Sequence, residues 1–205
     1  MTPPAALDRG LGELSLALPP GARERLLDYM KLLVKWNRTY NLTAIRDPLA
    51  MVTHHLLDSL SVLPHLPLAA AGSRMADVGS GAGLPGIPLA IARPSWRVAL
   101  AESSQKKAAF LRQAAIELGL RNVEVHEGRA EQWRPAALFQ VVISRAFADL
   151  GEFIAKCRHL VVPGGILAAM KGAAPAALEA GCDVVKLQVP LLDAQRHLVR
   201  CRVGG

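Results

Sequence analysis

Residues 77 to 86, Asp77-Val78-Gly79-Ser80-Gly81-Ala82-Gly83-Leu84-Pro85-Gly86, constrain this chain more than any other stretch. They follow the apolar residues Met75, Ala76 and Val78 and lead into the apolar segment Ile87 to Ala92, so a strand must end and a helix begin here. Glycines let a backbone adopt positive φ and approach a ligand with no Cβ in the way. Counted from Gly81, the run also has the spacing Gly81-x-Gly83-x-x-Gly86 of a dinucleotide turn. The glycines alone therefore do not choose between a nicotinamide cofactor and another adenosyl cofactor.

Asp77 makes the choice. A carboxylate two residues before the first glycine repels a pyrophosphate. S-adenosylmethionine has no phosphate. Its ammonium and sulfonium favour a carboxylate, and its own carboxylate suits backbone N–H donors in the turn. Acid-x-Gly-x-Gly-x-Gly after the first strand is also the pattern in which class I methyltransferases resemble one another. The expected contacts from the turn are Asp77, Gly81 and Gly83. A nicotinamide cofactor, or a glycine turn with no ligand, are the competing readings.

From Arg74 onward, short β-like runs alternate with helical ones. The strands are expected at 75–78, 98–101, 123–126, 141–144 and 166–170, and the helices at 87–92, 106–118 and 150–160, with Gly119 as a C′ residue. Such alternation implies α/β architecture, a mostly parallel doubly wound sheet with helices on both faces and ligands beyond the carboxyl ends of the strands. The connection between 184–189 and 197–203 is too short for a parallel crossover, so this tail is expected to be an antiparallel hairpin at the sheet edge.

The first 70 residues read as helices. Leu26, Met30, Leu33, Asn37 and Tyr40 fall on one stripe of a helix starting after Pro19-Pro20-Gly21, and Asp47-Pro48 caps another that runs through His54 and His55. Ala and Gly replace periodic residues at 68–73, a linker. At 205 residues with 51% hydrophobic content, the chain suits one well-buried domain plus an appendage. The expected division is a helical N-terminal cap, 1–70, and a methyltransferase domain, 71–205.

Residues 1–70 are nearly balanced in charge, so most of the excess of 24 Lys and Arg over 17 Asp and Glu lies in the remainder. Seventeen of the 24 are Arg, whose planar fork suits phosphate and guanine edges. This points to nucleic acid, although an arginine-rich genome would also give a pI near 9.8. Cys157, Cys182 and Cys201 are far apart and form no C-x-x-C pair, so neither a disulfide framework nor a metal site is expected and a reducing cytoplasm fits. Met1 to Leu18 lack a basic start before a continuous apolar core, so no signal peptide is expected there, and no apolar run reaches membrane length.

Three further positions bear on chemistry. Glu102 ends the second strand 19 residues after Gly83, where a doubly wound fold sets an acid against ribose hydroxyls. Ala130 and Glu131 follow the third strand; the Ala130 N–H and the Glu131 carboxylate are placed to pair with an adenine edge, or Glu131 is an ordinary first-turn helix acid. After the fourth strand comes Ser144-Arg145-Ala146-Phe147. Exocyclic-amine methyltransferases carry Asn/Asp-Pro-Pro-aromatic there, and pyrimidine C5 enzymes need a cysteine nucleophile; neither is present. An acceptor with its own lone pair remains, such as guanine N7. Arg145 is then the residue that holds guanine, screens a phosphate or touches the cofactor carboxylate, and no general base is expected. Lys35-Trp36-Asn37-Arg38-Thr39-Tyr40 mixes cations and aromatics suited to RNA, or packs the cap onto the sheet.

Taken together, Lys35-Trp36-Asn37 with Tyr40-Asn41-Leu42-Thr43, His55 with Leu57-Asp58-Ser59-Leu60, Asp77 to Pro88, Glu102-Ser103 with Lys106-Lys107, Gly128 to Glu131, and Ser144-Arg145-Ala146 resemble the RsmG (GidB) family of bacterial 16S rRNA guanine-N7 methyltransferases. The resemblance runs over nearly the whole chain. It implies a Rossmann-like class I methyltransferase fold, S-adenosyl-L-methionine as cofactor, Gly79, Leu84, Ala130, Glu131 and Arg145 as cofactor-binding residues, and a guanosine of the 530 loop of small-subunit rRNA as substrate. The partner expected is 16S rRNA or the small ribosomal subunit, met by a cytoplasmic monomer. A small-molecule methyltransferase and a non-enzymatic rRNA-binding module are the alternatives.

Overall fold

A computed structural model describes residues 1–68 and 70–204. The chain opens with α1 (Pro3–Glu13), whose N-cap Thr2 accepts from the Ala5 N–H at 3.4 Å, and α2 (Ala22–Tyr40), which starts at Gly21 and ends at Asn41 in the left-handed region. Next comes a helix of mixed pitch. Asp47 caps α3 (Pro48–Met51) by accepting from Ala50 N–H at 2.7 Å, a π-helical stretch spans Val52–Leu57, and α4 (Asp58–Leu60) completes it. The linker expected at 68–73 includes residue 69, which lies outside the described residues.

Beyond it run β1 (Arg74–Val78), α5 (Gly86–Ala92), β2 (Arg97–Glu102), α6 (Gln105–Glu117), β3 (Val123–Glu127), β4 (Phe139–Ser144), α7 (Leu150–Cys157), β5 (Val161–Lys171), β6 (Cys182–Leu187) and β7 (Arg196–Arg202). Among the described residues the strands form one seven-stranded sheet in the order β3-β2-β1-β4-β5-β7-β6, parallel from β3 to β5 and antiparallel at β7 and β6. The expected alternation and edge hairpin are both present. Gly119 takes φ +63° at the end of α6, as its position after the last periodic residue implied.

Alternating strand residues build a core on each face of the sheet. On one face Met75, Val98, Leu100, Val141, Ile143 and Ile166 pack with α5, α6 and the N-terminal helices in a single apolar cluster. On the other, Ala76, Val78, Ala99, Val142 and Leu167 pack against Trp133, Phe153 and Cys157. The N-terminal helices therefore share their core with the sheet.

Two expectations are corrected here. Leu26, Met30, Leu33 and Asn37 are buried as the stripe required, but Tyr40, the last residue of the helix, is 39% exposed. Cys182 and Cys201, expected to be unpaired, form a disulfide. They face each other in the β6–β7 ladder with Cα atoms 4.0 Å apart, a juxtaposition that depends on hairpin register and not on any motif spacing.

Candidate active site

The carboxyl ends of β1 to β4 surround a cleft of about 220 Å³. Val78, Gly79, Ala101, Ser103, Gly128, Arg129, Ala130, Glu131, Ala146, Phe147 and Lys156 line it. A larger cavity of about 430 Å³ sits beside His65, Ile166 and Arg200. It is remote from the chemistry: Ile166 pairs with Val141 near the amino end of β4, and its Arg200 is already tied to Asp183 at 2.6 Å.

The glycine turn is held from four sides. Gly79 N–H and Ser80 N–H both donate to Ala101 O, at 2.9 and 3.1 Å, which fastens the end of β1 to β2. Ser80 Oγ donates to Asp77 O at 2.7 Å, and Tyr29 of α2 donates its hydroxyl to Ala82 O at 2.6 Å. Gly79 has φ +69°, and a Cβ there would lie 2.7 Å from the Ala146 Cβ. Only glycine meets both demands at once.

Asp77 stands differently from the sequence expectation of a carboxylate meeting the cofactor. It is fully buried, and its Oδ2 accepts from Gly86 N–H at 2.8 Å, drawing the far end of the turn back over β1. Burial pushes its pKa up to about 7, while the Gly86 N–H and the Arg145 charge work in the opposite direction. Its other oxygen is buried with no hydrogen-bond partner. Sealed beneath the turn, Asp77 shapes the cradle and does not line it.

Glu102 is 7% exposed, with Oε2 accepting from Gly81 N–H and Oε1 from Ser104 N–H, each at 2.8 Å. An ionised carboxylate offers about four acceptor sites, so capacity remains for a diol at the rim of the cleft. Ala130 opens a short 3-10 turn, Ala130–Gln132, after β3; Glu131 is partly exposed beside Arg129 at 3.8 Å. Gly79, Ala130 and Glu131 thus line the cleft, Gly81 and Glu102 adjoin it, and Gly83 and Leu84 lie within the turn, where Leu84 is 8% exposed. The donor set, the glycine cradle and the spare acceptors of Glu102 fit an adenosyl cofactor.

Arg145 sits apart from the cleft lining. Its guanidinium lies 3.3 Å from buried Asp58 and 3.4 Å from His54 O, wedged between the turn and the N-terminal helices. Ser144 Oγ donates to Val78 O at 2.7 Å and accepts from Ala146 N–H at 3.0 Å, fixing the loop after β4. Lys171, at the end of β5, donates to Phe147 O and to Ala148 O, the latter at 2.8 Å. Tyr29 and Lys171 were not singled out from the sequence, and Asp58 was named only as part of the Leu57-Asp58-Ser59-Leu60 motif, with no role of its own. A cation directly after a core strand was the one available signal, for Lys171.

Asn37 of α2 and His55 both bond to Thr43. Asn37 clamps Thr43 through both of its side-chain atoms at 2.9 Å, and Thr43 Oγ1 meets His55 Nε2 at 2.8 Å. Burial pushes the His55 pKa down to about 4. Trp36 stacks on Tyr40 at 5.2 Å and lies 5.5 Å from Phe110 of α6, while Lys35, Arg38, Arg46 and Lys106 are exposed. Among the described residues, no group of three or more His, Cys, Asp or Glu side chains is disposed to hold a metal ion.

A sequence model of the family described as GidB, rRNA small subunit methyltransferase G, matches residues 22–198. A protein named ribosomal RNA small subunit methyltransferase G from Chromobacterium violaceum is 52% identical, covering 96% of each chain. The chain belongs to the GidB family. A GidB-family relative of the same name from Nitrosospira multiformis is 50% identical over the full length of both chains, and one from Burkholderia thailandensis is 52% identical over 95% of this chain and 89% of its own. Among solved structures, the O-methyltransferase TomG from Streptomyces achromogenes, in complex with SAM, matches with a TM-score of 0.58 at 17% identity over the whole of both chains. A SAM-dependent methyltransferase from Aquifex aeolicus matches 77% of this chain and 94% of its own, with a TM-score of 0.57 and 18% identity. These two carry the class I methyltransferase fold to this GidB chain.

Proposed function

We propose that this chain transfers the methyl group of S-adenosylmethionine to N7 of a guanosine in the 530 loop of 16S rRNA, acting in the cytoplasm as a monomer. Residues 1–70 serve in this reading as a cap and residues 71–205 carry the transfer machinery. Among the described residues, no helix is long and apolar enough to cross a membrane. Bound S-adenosylmethionine supplies an electrophilic methyl on a sulfonium.

One observation carries the choice of atom: the segment after β4 offers neither a paired amide acceptor nor a nucleophile. Ser144 Oγ is spent on Val78 O and the Ala146 N–H. Cys182 and Cys201 are bonded to each other, and Cys157 is buried with its thiol pushed up to about 12. An exocyclic amine must lose a proton as it reacts, and a pyrimidine carbon must first be attacked. Guanine N7 needs neither, because its lone pair is free in the plane of the ring. Catalysis is then positioning and electrostatics. Gly79, Gly81, Gly83, Leu84, Glu102, Ala130 and Glu131 hold the donor, Asp77 holds the turn, and Arg145 holds base or donor beside it. Since A-form RNA hides N7 in a deep, narrow groove, the target guanosine is presented from a loop or splayed from its stack.

Labelled methyl transfer to free 16S rRNA, to an assembly intermediate and to the 30S particle, followed by cleavage chemistry specific for N7-methylguanine, tests the proposal. A single mark in the 530 loop is expected. A mark on an exocyclic amine or pyrimidine carbon would overturn the choice of atom, and transfer to a small molecule without RNA would overturn the substrate.

A further inference from the structure

Three remote parts of the chain converge on one carboxylate. Asp58, at the start of α4, is 2% exposed; its Oδ2 lies 3.3 Å from Arg145 Nη1, after β4, and its Oδ1 lies 3.3 Å from Arg196 Nε, at the start of β7. The two arginine side chains keep 29% and 21% of their surface, so they lie between the buried acid and solvent.

The backbone before Asp58 is adapted to the same guanidinium. In a regular α-helix the Asp58 N–H would donate to His54 O, four residues back. Here the π-helical stretch sends it to Thr53 O and His55 O instead. His54 O is left to accept from Arg145 Nη1 at 3.4 Å. π-Helical turns are rare and frequently occur at functional sites. Isolated charges are not buried without partners, and a single acid between two guanidinium groups leaves one net positive charge beside the glycine turn. Both acceptors meet the same nitrogen, Nη1, which anchors one arm of the planar fork and leaves Nε and Nη2 outside these two contacts.

We propose that Asp58, together with the His54 carbonyl released by the π-helical stretch, is a positioning residue that fixes the Arg145 guanidinium for its work at the active site. This rests on the reading of Arg145 as a residue that touches donor or base. Asp58 itself touches neither; it acts through Arg145, and Arg196 shares its charge from the opposite side. The N-terminal helices thereby complete the site from outside the sheet.

A double-mutant cycle with Asp58→Asn and Arg145→Ala tests this, measured as single-turnover methyl transfer and as calorimetric affinity for S-adenosylhomocysteine and for 16S rRNA, each per folded molecule. Asn keeps the size of Asp58 and removes its charge. Asp58→Asn is expected to lower the quantity that Arg145→Ala lowers, by about tenfold or more in the parent, and by less than about twofold when Arg145 is already alanine. Equal losses in both backgrounds would show that Asp58 is only a structural tie and would overturn the proposal. If Arg145→Ala alone changes neither rate nor affinity, the reading of Arg145 fails, and the proposal falls with it. Because each quantity is taken per folded molecule, a reduced folded fraction in any variant does not enter the cycle.

Discussion

Asp77 and His55 are two buried ionisable side chains whose burial acts on stability in opposite directions. Asp77 holds its proton up to about pH 7 in the folded chain, against an ordinary value of 3.8, so the folded state binds the extra proton and stability falls as pH rises through that window, by about 4 kcal/mol in all. His55 is held neutral down to about pH 4, against 6.5, so its contribution is lost as pH falls from 6.5 toward 4, by about 3 kcal/mol. The two nearly offset each other in the parent. Asp77→Asn removes the first and leaves the second. Its stability relative to the parent, by urea denaturation, is expected to be highest near pH 7 and to decline by about 3 to 4 kcal/mol by pH 4. A difference that stays constant with pH would mean that Asp77 is ionised in the folded protein. The sequence showed that an acid belongs before the glycines, but not which way it faces: its partner, Gly86 N–H, lies nine residues on and arrives only when the turn folds back.

At the scale of elements, alternation and periodicity were legible because strands bury every second residue and helices every third or fourth. Four of the six motifs fell at the carboxyl ends of β1 to β4, and the other two lie in the N-terminal helices. What was not legible depends on register. The π-helical stretch is a choice of backbone acceptor, and the Cys182–Cys201 pairing is a choice of hairpin alignment; neither leaves a spacing signal. The turn and α5 give a direct test of close packing. A Cβ on Gly86 would collide with Leu100 Cδ2 and come within 2.8 Å of Asp77 Oδ2. Gly86→Ala is therefore expected to cost about 1 to 3 kcal/mol and to weaken cofactor binding, with thermal unfolding and calorimetry as the checks. A fully stable variant with parental affinity would mean that β2 and the turn are less tightly packed than described.

Across the whole molecule, some basic side chains stand exposed without an acidic partner. Lys35, Arg38 and Arg46 at and beyond the end of α2 and Lys106 at the start of α6 are exposed, and none has an acidic partner within 4.0 Å among the described residues. Trp36 and Phe110 join the two helices beneath them. If this face follows RNA phosphates, rRNA affinity falls steeply with salt, and replacing Lys35, Arg38 and Lys106 by Ala lowers the logarithmic salt slope by about 2 to 3 while leaving cofactor affinity unchanged. An unchanged slope in filter-binding titrations would exclude these three side chains from the RNA contact.

The order of the sheet also bears on how the protein is made. β7 is the last strand to be synthesised, yet it lies between β5 and β6, and it brings Arg196 to Asp58. A growing chain therefore holds both flanking strands open, and its buried acid half-matched, until β7 itself has been made.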